Sequence, residues 1–493
     1  MDVTFETRLH SCMEPVLREI HTSEQTQQIS LPDGMPDIGQ VLGAWGQPLL
    51  RGKQWQAEEV SCNGGLMVWV LYAPEDGSPA RCLEGWIPFT LRWDLPQGKP
   101  EGSLRLNCLC RFVDARVVSA RKLVVRGGLG VQVEAFCPME AASWEPEQVP
   151  PDVQLLRREC PVRLPKEMTE KSFSLDEELT LPESAPALQE LVYYRLIPSV
   201  TDKKVLSGKA VFRGNAQVHV LYRSTEGQLH NWDFSLPFSQ YAQLEQEHSP
   251  EAQADLVILP TSLELNLEDG RLRLKAGLAA QVLITDREKL NLVADAYSPT
   301  RELTLEHQSV KMPVLSESRR HSISLRQELP VQGNLAADVC IWPDFPRQRR
   351  PEEDLALSAA VQVLYYGEDG GLLGASGRWE GTLPASDQAQ VLGVPGISED
   401  AQVQLGTMLT VSQEMALETT GFSWQELPMV AGIALGEPRR PDPDRPSLIL
   451  CRMGQEPLWE LAKESLSTVE AIRQANGLTE DPAPNQMLLI PVV

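Results

Sequence analysis

Alternating apolar and polar residues dominate the chain and predict β-strands. From Leu263 to Leu267, and again from Leu272 to Leu274, every second residue is apolar, and an Asp-Gly pair at 269–270 separates the two runs. Period-2 alternation places the apolar side chains on one face of a sheet, and Asp-Gly is a preferred two-residue hairpin turn. Runs of this kind recur along most of the chain and predict a mainly β protein built from sandwich-like units.

One strand-and-turn segment occurs three times. Residues 68–77, 218–227 and 361–370 each begin with Val-x-Val-Leu-Tyr and end with glycine, and they start 150 and 143 residues apart. A Leu-Pro-acidic segment at 31–36 also has a counterpart 150 residues later, at 181–186. The ordered copies indicate a triplication, in which the third unit is the most divergent.

The last fifty residues carry a different pattern, which predicts a small α+β module with the order βααβ. An apolar run opens the module, and a helix follows Pro457 with Leu458, Leu461 and Ala462 on one face. Ser467 and Glu470 have the spacing of a capping box, which predicts the start of a second helix. Asn476-Gly477 is a typical helix end, and the return strand is predicted at 487–490.

Composition suggests where these units join. A helical pattern is also seen around Cys12–Ile20. Proline and charged residues accumulate at 143–171, which predicts a linker between the first two units. Residues 437–446 contain four prolines, which predicts a semi-rigid spacer. We expect few contacts to cross that spacer. The predicted domains are three repeated units at 21–142, 172–305 and 320–436, followed by the module at 447–493.

Charge and cysteine content restrict the function classes. The chain has 493 residues and a net charge of −24, which disfavours binding to nucleic acid and to anionic lipid. No apolar run approaches the roughly 20 residues that span a bilayer, and the N-terminus lacks the pattern of a signal peptide. Nine irregularly spaced cysteines are typical of reduced thiols in a cytosol.

No pattern of chemistry-bearing residues predicts catalysis, a metal or a cofactor. Cys108 and Cys110 form at most half of a metal site, and the seven histidines lack metal-ligand spacing. His219 is expected on the strand face opposite its valine neighbours. The repeated aromatic residues are interpreted as core, although a ligand platform is the alternative; they are Trp69, Tyr72, Trp86, Tyr222, Trp232, Tyr365 and Trp379.

The C-terminal module resembles the LysM family. Residues 454–462, 467–476 and 484–491 are similar to the opening helix, the second helix and the final strand of that family. Two departures concern the loops, since Gln455-Glu456-Pro457 replaces Asp-Thr and Asn485 replaces a glycine. The first departure lies where the family binds glycans. Trp459 resembles a core position of the family.

The repeats resemble SPOCS domains, which occur in sporulating bacteria. The resemblance rests on residues 31–38, the stretch 203–209, the Val-x-Val-Leu-Tyr strands, and the elements Ile-Pro-Phe at 87–89 and Leu-Pro-Phe at 236–238. Several SPOCS units followed by one LysM is a layout of spore-coat morphogenetic proteins.

Together, the two resemblances imply a non-enzymatic scaffold of spore-coat assembly. They imply a location in the mother-cell cytoplasm at the forespore surface, with the spore-coat morphogenetic ATPase as partner. The carboxylates of the two LysM loops would attract a basic protein surface. The predicted partner-binding residues are Met453, Gly454, Gln455, Glu456, Gly477, Leu478, Thr479, Glu480 and Asp481. Alternatives are a peptidoglycan-binding or chitin-like glycan-binding protein, and a wall hydrolase with an unrecognised active site.

Overall fold

The computed structural model of the chain describes residues 2–268, 270–333, 335–384, 390–397, 401–405, 408–440 and 446–492. These residues form mainly strands, with two short helices near the C-terminus, and this confirms the prediction of a mainly β protein. The strands fall into three successive groups of similar topology, followed by a smaller C-terminal module.

The first group builds two three-stranded antiparallel sheets. Its strands are β1 (Asp2–Val3), β2 (Phe5–Ser30), β3 (Ile38–Gln56), β4 (Glu59–Pro74), β5 (Arg81–Asp94), β6 (Ser103–Ser119) and β7 (Lys122–Pro146). In one sheet β4 lies between β3 and β5, and in the other β7 lies between β2 and β6. The short β1 instead pairs with a strand of the third group.

The second group repeats this arrangement. Its strands are β8 (Gln154–Leu179), β9 (Leu188–Leu206), β10 (Lys209–Ser224), β11 (Leu229–Gln243), β12 (Gln253–Glu268) and β13 (Arg271–Tyr297). Strand β10 lies between β9 and β11, and β13 lies between β8 and β12. The pairing of Leu267 with Leu272 confirms the predicted hairpin between β12 and β13.

The third group has the same order, with its outer strands broken into pieces. Its strands are β14 (Arg301–Leu315), β15 (Arg319–Leu329), β16 (Leu335–Pro343), β17 (Leu355–Tyr366), β18 (Leu372–Leu383), β19 (Gln390–Ile397), β20 (Gln402–Leu405) and β21 (Leu409–Pro438). Strand β17 lies between β16 and β18, whereas the long β21 pairs with β14, β15, β19, β20 and also with β1.

The C-terminal module contains a strand, two helices and a second strand. These are β22 (Leu448–Arg452), α1 (Leu458–Glu464), α2 (Val469–Asn476) and β23 (Met487–Pro491). The two strands pair antiparallel with each other.

The three Val-x-Val-Leu-Tyr segments lie at the ends of the middle strands β4, β10 and β17. The Tyr72 hydroxyl donates to the Pro36 carbonyl at 3.0 Å, and the Tyr222 hydroxyl donates to the Pro186 carbonyl at 3.1 Å. The glycine that closes each segment has a positive φ, between 73° and 85°, which confirms the predicted turns because such a φ favours glycine.

The cores of the groups are continuous with each other. Trp45 of β3 stacks on Tyr193 of β9 with ring centroids 5.0 Å apart, and Trp69 packs edge-on against the same tyrosine at 5.2 Å. Both tryptophans are fully or almost fully buried. The first two groups therefore share one hydrophobic core and are not separate globular units.

The core interpretation of the repeated aromatics is correct for most of them but wrong for two. Trp69, Tyr72, Tyr222 and Tyr365 are buried, and Trp379 is half-buried. The other two, Trp86 and Trp232, are 38% and 37% exposed. Trp86 lies on β5 and Trp232 lies on β11. Each of these strands forms an edge of its sheet, where one face meets solvent.

The helix predicted around Cys12–Ile20 is wrong, because this segment lies inside β2. A register shift between Pro15 and Leu17 interrupts the pairing of β2 with β7. A β-bulge moves the phase of the alternation by one residue, so apolar positions on either side of it resemble helical spacing.

The predicted linker at 143–171 is also mostly strand. Strand β7 continues to Pro146 and β8 begins at Gln154, so only a short connection remains. Pro161 and Pro165 are accommodated because β8 lies at the edge of its sheet and pairs with β13 on one side. The predicted unit limits 21, 142, 172, 305, 320 and 436 all lie inside strands.

Candidate functional site

The first predicted binding loop follows β22. The Met453 N–H donates to the Gln486 carbonyl at 2.8 Å, and the Asn485 N–H donates to the Met453 carbonyl at 2.9 Å. These bonds fix the loop against the turn before β23. Met453 is buried in the core of the module, whereas Gln455 and Glu456 are exposed. A Cβ at Gly454 would lie within 3 Å of the Glu456 carboxylate, so a larger residue there requires that flexible side chain to move.

The second predicted loop begins at the end of α2. Gly477 adopts a left-handed φ of 62°, which confirms the predicted helix end. Leu478 is half-buried against the same hydrophobic cluster as Met453, so the structure brings both loops to one cluster. Thr479, Glu480 and Asp481 are exposed. The Asp481 carboxylate accepts a hydrogen bond from the Arg473 guanidinium at 2.7 Å.

The start of α2 differs from the predicted capping box by one residue. Thr468 is the N-cap, and its hydroxyl accepts a hydrogen bond from the Ala471 N–H at 3.1 Å. The Ser467 hydroxyl instead donates to the Pro491 carbonyl, which ties the helix start to the end of β23. Serine and threonine are adjacent here, and tertiary contacts decided which of them caps the helix.

The two-stranded sheet of the module exposes an apolar outer face, which sequence reasoning missed. Leu448 and Leu450 are 51% and 63% exposed, and Met487 and Leu489 are 48% and 38% exposed. Leu450 is the register partner of Leu489, so their side chains project from the same side of the sheet. The opposite side, with Leu488 and Ile490, is buried. We call Leu448, Leu450, Met487 and Leu489 the outer face.

The module packs against the end of β13. The Trp459 indole N–H donates to Asp295 Oδ2 at 2.8 Å, and Lys463 Nζ donates to the same oxygen at 2.6 Å. The Tyr297 hydroxyl donates to the Ser467 carbonyl at 2.9 Å, and its ring lies 4.7 Å from that of Trp459. These contacts contradict the expectation that few interactions cross the predicted spacer. Of that spacer, residues 441–445 lie outside the described residues.

The contact with the module favours the ionised form of the Asp295 carboxylate. Burial alone would raise its pKa, but the hydrogen bonds from Lys463 and Trp459 outweigh burial and hold the pKa below its usual value. Trp459 therefore joins the module to β13 in addition to filling the core of the module.

A second polar cluster joins the second and third groups. His219 of β10 contacts Asp233 Oδ1 through Nδ1 and Asp338 Oδ1 through Nε2, both at 3.0 Å. Burial favours the neutral ring. The negative charge of Asp338, followed by the hydrogen bonds to Asp233 and Asp338, outweighs burial and raises the pKa of His219 to about 9. The ring is an imidazolium at neutral pH, and both of its nitrogens are engaged. It is therefore not available as a general base.

The cysteines are buried or half-buried thiols in this structure. Burial raises the pKa of Cys108 and Cys110 far above the ordinary value, which fits the core interpretation of this pair. Burial also raises the pKa of Cys340 to about 11, although the Arg195 guanidinium lies 3.1 Å from its sulfur. Within the described residues, no three His, Cys, Asp or Glu side chains are grouped as a metal site would need.

Comparison with known protein families gives a match within the second strand group. Residues 189–266 match the family described as SipL, SPOCS domain. The matched segment begins in β9, includes β10 and β11 and ends within β12. No curated protein and no solved structure matches the chain. The match supports a SipL-like, sporulation-related protein. Among the described residues, no helix has both the length and the apolar character needed to cross a membrane.

Proposed function

We propose that this protein is a non-enzymatic scaffold of spore-coat assembly, which docks the coat morphogenetic ATPase through its C-terminal module. The SPOCS match at residues 189–266 supports the sporulation theme. In this proposal the three strand groups are SPOCS-like sandwich units, and residues 447–493 are a LysM domain. The proposed location is the mother-cell cytoplasm at the forespore surface.

The observation that carries the docking proposal is the outer face of the module. Four large apolar side chains share one side of a small sheet and are all more than one-third exposed. Contiguous apolar surface of this kind marks interaction sites in soluble proteins. The carboxylates of Glu456, Glu480 and Asp481 lie in loops at the Arg452–Met487 end of this sheet. The proposed occupant is therefore a protein surface with an apolar strip and basic residues at one end.

The same geometry disfavours glycan binding as the main role. Sugar-binding sites commonly stack aromatic rings on the sugar, but the two loops at 453–457 and 477–486 contain no aromatic residue. The tryptophan nearest to them, Trp459, is buried and bonded to Asp295.

The proposal is tested by titrating the full chain with the purified coat ATPase, and separately with chitin and peptidoglycan oligomers, at two salt concentrations. We expect protein binding that weakens with salt, because exposed charge interactions are screened. Leu450→Ser should weaken binding at least about tenfold, as expected for a contact at the centre of an interface. Glu480→Lys should mainly slow association.

Matched controls are Leu9→Ser, which changes another exposed leucine on β2, and Glu464→Lys, which changes an exposed carboxylate on α1. Both should bind like the unchanged protein. Tight oligosaccharide binding without ATPase binding would reverse the assignment. Equal losses for Leu9→Ser and Leu450→Ser would show that the outer face is not the docking surface.

A further inference from the structure

A cavity of about 290 Å³ opens where the three strand groups meet. Strands β2, β6 and β7 contribute from the first group, β8, β9, β12 and β13 from the second, and β14 and β21 from the third. This volume is just below the roughly 300–1,000 Å³ that is usual for small-molecule sites, so the cavity suits a small ligand.

The cavity lining is cationic, in contrast to the chain as a whole. Five basic side chains line it, but only two carboxylates do, which leaves a surplus of three positive charges. The basic residues are Arg18, Arg105, Arg163, Lys203 and Lys204, and the carboxylates belong to Glu134 and Asp255. The whole chain has a net charge of −24, so this concentration of cations is a local feature.

The two carboxylates are shared among three cations. Glu134 accepts from Arg18 Nε at 2.9 Å through one oxygen and from Arg105 Nε at 2.7 Å through the other. Asp255 accepts from Arg105 Nη1 at 2.6 Å, and Lys203 Nζ lies 3.9 Å from its second oxygen. Each carboxylate therefore already faces two cations.

The remaining cations are less well compensated. Arg163 contacts Glu317 at 3.1 Å, but Glu317 is also bound by Arg287, so it does not cancel the surplus. Lys204 has no carboxylate partner within the part of the chain that the structure describes. Burial lowers the pKa of both Arg18 and Arg163, because nearby carboxylates offset only part of the cost of desolvating their charges.

We propose that this cavity binds a small dianion, either a phosphate monoester or a dicarboxylate of similar size. Two negative charges would offset most of the surplus, and the guanidinium and ammonium groups would form charge-assisted hydrogen bonds with them. Thr285, Ser318 and Thr420 also line the cavity, and each carries a hydroxyl group that can donate a hydrogen bond. Because all three groups contribute to the walls, a bound dianion fixes their relative arrangement.

The experiment measures the thermal unfolding midpoint and the calorimetric affinity of the full chain. The probes are inorganic phosphate, glycerol phosphate and succinate, each compared with chloride at the same ionic strength. A ligand that binds only the folded state raises the midpoint as its concentration increases. We expect a rise with dianions beyond that with chloride. A larger effect of the phosphates would identify the phosphate class, and a larger effect of succinate the dicarboxylate class.

Lys204→Glu is the informative variant, because this side chain is exposed and its replacement should leave the fold intact. It should weaken dianion binding about tenfold, as expected for the loss of a charge-assisted contact. Lys275→Glu, at an exposed position of β13, is the matched control and should bind like the unchanged protein. Equal stabilisation by chloride and by all dianions, or unchanged affinity of Lys204→Glu, would overturn the proposal.

Discussion

Two clusters of buried charge connect the strand groups, and they differ in chemistry. Arg18, Arg105, Glu134 and Asp255 connect the first group to the second through guanidinium groups, which stay charged at all physiological pH values. His219, with Asp233 and Asp338, connects the second group to the third through an imidazolium. The charges at the first junction therefore do not change with pH in the physiological range. The charge at the second junction depends on the protonation of His219.

This difference teaches how buried charge can stabilise a contact. A buried ion pair contributes little relative to apolar packing, but the loss of one partner leaves the other charge buried and unpaired. In the arginine cluster, a charged partner is lost only by mutation. In the histidine cluster, deprotonation of His219 also removes the positive charge that the two aspartates face.

The largest effect is expected from Glu134→Ala. It leaves the guanidinium groups of Arg18 and Arg105 buried without their shared carboxylate, and should cost about 3–5 kcal/mol in the free energy of unfolding. Chemical denaturation measures this loss. The control is Glu140→Ala on the same strand, which is exposed and should stay within about 0.5 kcal/mol. Similar losses in both variants would show that the arginine cluster does not support the junction.

A smaller effect is expected from pH. The pKa of His219 is raised to about 9 in the folded state from an ordinary value of 6.5. Its contribution is therefore present in full below pH 6.5 and is lost as pH rises through 9, up to ~3 kcal/mol in total.

Denaturation curves between pH 6 and 9.5 check this prediction, with His219→Gln as the comparison that lacks the titration. The unchanged protein should lose more stability than the variant over this range. An NMR titration that placed the pKa of His219 near 6.5 would contradict it.

Asp295→Ala tests the weaker junction between the C-terminal module and β13. The variant loses the hydrogen bonds from Trp459 and Lys463, and should cost about 1–2 kcal/mol. Hydrogen exchange should show faster opening confined to α1 and α2. Exchange that accelerates equally in β4 and β10 would mean that the module is not a separate cooperative unit.

The smallest effect is expected from Tyr72→Phe and Tyr222→Phe. Each removes one hydroxyl bond to a proline carbonyl, at 3.0 and 3.1 Å, and should cost about 1 kcal/mol. Equivalent positions in repeated units should lose similar amounts. Thermal denaturation of both variants measures the difference, and a large disparity would argue against the equivalence of the first two groups.

Local patterns alone predicted much of the fold. The alternation around Leu267 and Leu272, the turn glycines and the helix end at Gly477 all follow from backbone preferences that act over a few residues. The errors have local causes too. The bulge after Pro15 gave the apolar residues of β2 a spacing like that of a helix. The prolines of the edge strand β8 gave that segment a composition like that of a linker.

Only the tertiary structure decided the features on which the proposals depend. Arg18 and Glu134 are 116 residues apart, and His219 and Asp338 are 119 apart, so no local pattern could pair them. Likewise, the alternation in β22 and β23 cannot show which face of a small sheet is covered by helices and which meets solvent. The sequence by itself indicated most of the strands and turns, but it misassigned the segments at 12–20 and 143–171. Long-range packing determined which charges are buried together and which apolar side chains remain exposed, because burial depends on neighbours that are distant along the chain.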